Sequence, residues 1–130
     1  SLDRWIEITE EAKALKLHPR GPVIVTYHVN PLDQFLGKDC LIEFAIQVYH
    51  PRETERFRTF GGFMAATLIH LGRYEEITAK HIKLISWINT HDYEVAGPVS
   101  EEFIISPVDV NNAEEHVTKI IIPVRKKEGN

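Results

Sequence analysis

The sequence predicts an α+β domain made of two related halves, each a helix followed by two strands. Three observations carry this. A shift of 76 positions, the distance from Gly21 to Gly97, lays the second part of the chain on the first without a gap. Apolar residues recur at helical spacing in one segment of each half, and in-out alternation marks the segments that follow.

Residues 2–17 read as a helix, with Leu2, Trp5, Ile8, Ala12 and Leu15 along one side and Pro19, Gly21 and Pro22 ending it. Residues 23–28 follow as a strand. Asn30, Pro31, Asp33 and Gly37 make 29–39 a turn-rich loop, and 41–49 alternates as the next strand. Residues 50–58 carry charges of both signs, and 58–70 reads as extended, with Gly61-Gly62 suggesting a bulge or close backbone approach. The stripe Tyr74, Ile77, His81, Leu84, Ile85 and Ile88 marks the second helix over 74–89. Strands over 101–105 and 117–124 close the fold.

Under the shift, Gly21-Pro22-Val23 falls on Gly97-Pro98-Val99, Tyr27 on Phe103, Pro31 on Pro107 and Asp33 on Asp109. Trp5 falls on His81 and Ile8 on Leu84, so the helices share their phase. The second half also has a strand before its helix. Its counterpart would precede Ser1, so that strand has either been cut away or never existed in the first half. Repeat one is expected over about 1–50 and repeat two over about 58–125, within a single domain spanning 1–130.

Composition narrows the function. A hydrophobic content of 43% supports one core, while a net charge of −4 offers no basic surface for a phosphate backbone. This chain alone is not expected to bind nucleic acid. The lone Cys40 rules out an internal disulfide and a cysteine-based zinc site. Without a membrane-length apolar run or a secretion signal, the chain reads as soluble and cytoplasmic. It opens on Ser1 and its one methionine is Met64, as expected of a processed N-terminus or a piece of something longer.

One lysine stands out. In 41–49, Ile42, Phe44, Ile46 and Val48 point to the core, leaving Glu43, Ala45, Gln47 and Tyr49 on the other face. In the last strand Ile120, Ile122 and Val124 repeat the core set, leaving Lys119, Ile121 and Pro123 opposite. Glu43 and Lys119 are equivalent under the shift. If these strands flank a pseudo-twofold axis, the two charges face each other across a semi-apolar groove; otherwise each is an ordinary solvated edge charge.

Four patterns together resemble the GyrI-like (gyrase-inhibitor-like) small-molecule-binding domain, the effector-binding part of MerR- and AraC-type bacterial transcription regulators. They are His70-Leu71-Gly72-Arg73-Tyr74-Glu75, Leu84-Ile85-Ser86-Trp87-Ile88, Gly97-Pro98-Val99-Ser100-Glu101-Glu102-Phe103 and Thr118-Lys119-Ile120-Ile121-Ile122-Pro123-Val124. The resemblance implies a duplicated βαββ architecture with a curved antiparallel sheet and two main helices around a groove for aromatic or lipophilic compounds. In multidrug-responsive members a glutamate of the closing strand pairs with cationic ligands. Lys119 stands there in this chain, which suggests neutral or anionic aromatic ligands, or an acidic role passed to Glu43.

The expected function is therefore small-molecule sensing for a transcription regulator whose DNA-binding module is separate, with a homo-oligomer allowed. The alternatives are a GyrI-like hydrolase or detoxifying enzyme and a stand-alone protein inhibitor. Catalysis is poorly supported: no H-E-x-x-H, G-x-S-x-G or phosphate-loop motif occurs, and no metal or cofactor is expected. His81 reads as a hydrogen-bonded core histidine. Of Glu101 and Glu102, one must point away from any groove. Expected ligand contacts are Glu43, Gln47, Tyr49, Lys119 and Ile121 from the sheet, with Trp5, Tyr27, Trp87 and Phe103 as walls.

Overall fold

A computed structural model describes residues 2–28 and 41–129. The turn-rich loop, with Pro31, Asp33 and Cys40, lies outside the described residues. The chain runs α1 (Leu2–Ala14), β1 (Pro19–His28), β2 (Leu41–Val48), β3 (Ala65–Leu71), a 3-10 turn (Tyr74–Glu76), α2 (Thr78–Thr90), β4 (Tyr93–Val95), β5 (Val99–Ile105), a second 3-10 turn (Ala113–Glu115) and β6 (Val117–Lys126). The strands form one antiparallel six-stranded sheet in the order β2-β1-β5-β6-β3, with β4 beside the far end of β6. With two helices among the described residues, this is an α+β fold.

The duplication is visible in three dimensions. Moved by 76 positions, the bounds of α1 become those of α2, β1 overlies β5 and β2 overlies β6. Val25 is paired with Glu101, its own equivalent, so the pseudo-twofold axis passes between β1 and β5 at that pair. Each helix ends on a non-glycine residue in the left-handed region, Lys16 (φ 56°) and Asp92 (φ 62°), which are equivalent positions. Close approach explains the shared glycines. A Cβ on Gly21 would come within 2.9 Å of the Gln47 side chain, and one on Gly97 within 3.2 Å of Pro123, the equivalent partner. Aspartate tolerates the left-handed region better than lysine. Lys16→Gly is therefore expected to stabilise the protein by about 0.5–1 kcal/mol, read as a raised denaturation midpoint at unchanged slope.

Alternation sorts the sheet into two faces. Val25, Tyr27, Glu101, Phe103, Ile120 and Ile122 point towards the helices, while Ile24, Thr26, Ser100, Glu102, Lys119 and Ile121 point the other way. The core lies under α2, where Ile77, Leu84 and Ile88 meet Ala66, Ile120, Ile122 and Val124. Across α1 the packing is thinner. Ala12 is its one buried apolar residue with a described side chain, against Leu84 and Ile88 on α2.

Several boundaries differ from expectation: α1 ends already at Ala14, β1 begins at Pro19 and β5 at Val99. The extended stretch becomes a strand only from Ala65, because Gly61 (φ 111°) and Gly62 (φ 76°) hold a turn before β3 rather than a bulge within it. β4 was not foreseen; three residues are too few for alternation to register. A 3-10 turn replaces the first turn of the second helix. There His70 Nε2 meets the Arg73 carbonyl at 2.6 Å and acts as donor. β2 and β3 occupy opposite edges of the sheet, and the chain leaving β2 runs along that strand's outer edge, where Arg56 meets Glu11 of α1 and Arg58 meets Glu43.

Candidate functional site

At the pseudo-twofold axis, on the helix face, the protein buries a carboxylate. Glu101 is 2% exposed and lies between Val25 on β1 and Ile120 on β6. The core stripe of α2 supplies its first partner. His81 falls on that stripe one turn from both Ile77 and Leu84, and its Nε2 lies 2.7 Å from Glu101 Oε2. The 3-10 turn carries Tyr74, whose hydroxyl donates to Oε1 at 2.7 Å, and β1 carries Tyr27, which donates to the same oxygen at 2.8 Å. The two phenol oxygens are 2.9 Å apart. Two hydroxyl protons thus serve three short contacts, and one side of the oxygen triangle has no proton when both phenols donate to the acid.

Apolar rings close the site. Phe103, the equivalent of Tyr27, stacks edge-on with Trp5 of α1 at 5.1 Å between ring centres and lies 5.6 Å from Tyr74. The duplication has therefore placed Trp5 and His81 on facing helices, with Tyr27 and Phe103 below them. Burial by itself raises the Glu101 carboxyl. The hydrogen bonds from His81, Tyr74 and Tyr27 outweigh that and hold it below the usual carboxylate range. Desolvation, the contact with Tyr74 and the adjacent acid push the Tyr27 hydroxyl well above its ordinary value. Tyr74 is pushed up to about 12, chiefly by burial. The result is an ionised acid kept in an aromatic setting by neutral phenols, poorly suited to giving up a proton as a general acid.

Of the expected contact residues, Trp5, Tyr27 and Phe103 meet here, whereas Glu43, Gln47, Lys119 and Ile121 lie on the opposite face. Lys119 stands across from Glu102 on β5 and Ile69 on β3. Glu43 is one strand further out than β1 and is engaged there by Arg58, through Nε at 3.1 Å and a second guanidinium bond. Arg58 holds the Glu43 carboxyl below the usual range. The expected meeting of Glu43 and Lys119 does not occur, because β1 and β5 line the axis and put β2 and β6 on its two sides. Gln47 donates to the Pro22 carbonyl at 2.9 Å. Tyr49 is exposed beneath the Arg20 guanidinium. Trp87 sits at the far end of α2, stacked 4.2 Å from His91 and 6.2 Å from Tyr93.

Beside the site, a cavity of about 580 Å³ runs between α1, the outer edge of β2 and residues 51–60. Ile8, Ala12, Leu15, Phe44, Ile46 and Val48 give it an apolar side, and the expected contacts Glu43, Gln47 and Tyr49 also line it. Of its three arginines, Arg56 pairs with Glu11 at 2.6 Å and Arg58 with Glu43, while Arg20 lies over the Tyr49 ring. Among the described residues no group of three or more His, Cys, Asp or Glu could hold a metal ion, and no helix is long and apolar enough to cross a membrane.

Sequence reasoning missed Glu101, Tyr74 and His81 as a unit. The signal was present in the repeat. Glu101 replaces Val25 and His81 replaces Trp5, so a polar pair in one half stands where the other has an apolar pair. A model of the GyrI-like small molecule binding domain matches residues 3–125. Two solved structures share the fold. The EcmrR chain of an EcmrR-DNA complex in EcmrR-RPo aligns with TM-score 0.82 at 22% identity, over 98% of this chain and 50% of that one. The EcmrR C-terminal domain aligns with TM-score 0.79 at 23% identity, over 94% and 82%. This chain thus spans about half the length of the EcmrR chain in the DNA complex. No curated protein matches it in sequence.

Proposed function

We propose, from the premise that the chain belongs to the GyrI-like small molecule binding domain family, that it is the effector-sensing domain of a transcription regulator. Its ligand is a flat aromatic or lipophilic compound bearing a cationic or hydrogen-donating group, held between α1 and α2 against Glu101. One observation carries the reading: an ionised carboxylate buried to 2% exposure at the axis of a duplicated fold, ringed by Trp5, Tyr27, Tyr74 and Phe103. Aromatic faces attract cations, and a buried carboxylate strengthens that attraction in a low-dielectric setting. Lys119 is left out of this proposed contact set, since alternation puts it on the sheet face opposite Glu101. A ligand seated between the halves would bias their relative position and so act on a DNA-binding module outside this chain.

The test is thermal unfolding against matched cationic, neutral and anionic aromatic compounds. A ligand at roughly 100 times its dissociation constant adds about 2.7 kcal/mol of stability. Cations are expected to raise the midpoint of the wild type and of Lys119→Ala, and to leave Glu101→Gln unmoved. Stabilisation by anions that disappears in Lys119→Ala would move the site to the opposite face and defeat this reading.

A further inference from the structure

The Glu101 carboxylate is already occupied. Its Oε1 accepts two phenol hydroxyls, and its Oε2 faces the imidazole of His81 at 2.7 Å. The His81 side chain is 22% exposed while that of Glu101 is 2% exposed, so the imidazole stands between the acid and solvent on the Oε2 side. The groups around His81 are Glu101 from β5, Tyr27 from β1 and Tyr74 from the 3-10 turn. Ile77 and Leu84 flank it on either side along the chain, and the uncharged Trp5 of α1 stacks on Phe103 of β5. Glu101 is the one carboxylate among these groups. A buried carboxylate without a positive or donating partner is costly, and His81 meets that need in the absence of ligand.

We propose that His81 is the built-in cation of the site: as imidazolium it holds the position on Glu101 Oε2 that the charged group of a ligand takes, and a cationic ligand enters in exchange for its proton. The inference rests on the reading of the Glu101 cleft as the ligand site. Nothing covalent changes; the proton passes to solvent and the imidazole turns away neutral. The free protein then binds one more proton than the complex. Acid therefore weakens cation binding, by up to about tenfold per pH unit, as long as a proton has to be displaced, and binding levels off where none has to be. A neutral aromatic ligand leaves the His81–Glu101 pair in place and shows no such slope. His81 is in this sense a specificity residue that admits permanent cations according to pH.

Titration calorimetry on the 130-residue chain tests this with benzyltriphenylphosphonium as the permanent cation and triphenylphosphine oxide as the neutral probe. The measurements cover roughly pH 5 to 8, where histidine changes charge, in buffers of different ionisation enthalpy. The expected result is release of about one proton per cation bound, with weakening on acidification in the wild type only. His81→Gln should bind the cation without that slope and more tightly than wild type at the acid end, while the neutral probe stays flat in both. A wild-type affinity indifferent to pH, or the same slope in His81→Gln, overturns the role of His81 and leaves the Glu101 cleft standing as the ligand site. Failure of the cation to bind either protein at any pH, with Glu101→Gln equally silent, removes both. Should His81→Gln not fold, the ring-nitrogen resonances of His81 in the wild type decide. Loss of one ring proton on adding the cation supports the exchange, and an unchanged ring refutes it.

Discussion

Glu101→Ala is expected to lower stability by about 3–5 kcal/mol and to abolish the thermal response to aromatic cations. The loss exceeds that of an ordinary polar residue because three groups depend on this carboxylate. Removing it leaves the Tyr27 and Tyr74 hydroxyls without their acceptor and leaves His81 facing apolar space. Glu101→Gln should cost less, since an amide keeps one acceptor oxygen for the phenols while withdrawing the charge. Comparing the two separates the structural role of the acid from its electrostatic one. Stability should also follow pH in a defined direction. The folded carboxyl lies below its ordinary value of 4.5, so its contribution is complete above that value and is lost as pH falls through the lower, folded value. Acid unfolding monitored by circular dichroism should show the wild type losing stability in that window, with Glu101→Gln losing less. A Glu101→Ala protein as stable as the wild type at neutral pH would mean that the phenols and His81 find other partners, and the buried acid would lose its structural significance.

The duplication was legible because it rests on features that one residue type imposes locally. Glycine at 21 and 97 is required by the close approach of Gln47 and Pro123, and helix phase follows from the spacing of apolar residues. Those constraints are read along the chain. The site depends on sheet order, which is not. Either strand of each half could have lined the axis, and the alternative in which β2 and β6 do so brings Glu43 to Lys119. Hydrogen bonding between β1 and β5 selects the other arrangement and makes Val25 and Glu101 the central pair. Trp5, Tyr27 and Phe103 were grouped by repeat equivalence and resemblance, and they lie near one another because equivalent positions close to a twofold axis come close in space. Alternation established that Glu101 and Glu102 point to opposite faces, but the register against β1 was needed to tell which faces the helices. His81 read as a hydrogen-bonded core histidine, and it is one; what spacing along α2 could not reveal is that its partner is the buried acid.

The second large effect concerns the asymmetry between the two helices. Ile88 of α2 is 0% exposed and packs among Ala66, Ile122 and Val124, whereas its equivalent on α1 is Ala12. Ile88→Ala removes three carbon atoms from a closed core, and the surrounding β6 and β3 side chains cannot collapse into the space without disturbing the sheet. The expected cost is about 2–5 kcal/mol, a fall of roughly 10 °C in midpoint for a chain of this size. The matching change on the other helix should go the opposite way. Ala12 borders the cavity of about 580 Å³ beneath α1, so Ala12→Leu has room to bury added methyl groups against Phe44 and Ile46. A gain of about 1 kcal/mol is expected from that burial, less than full transfer because the cavity is open at the β2 edge. Thermal unfolding of the two variants and of their combination checks both. The helices pack on different strands, so the effects should add within about 0.5 kcal/mol. A destabilised Ala12→Leu would mean that α1 already sits as close to β2 as its backbone permits. In that case the thin packing of α1 reflects the shape of the helix seat and not an under-filled core, and the two halves would differ in backbone as well as in side chains.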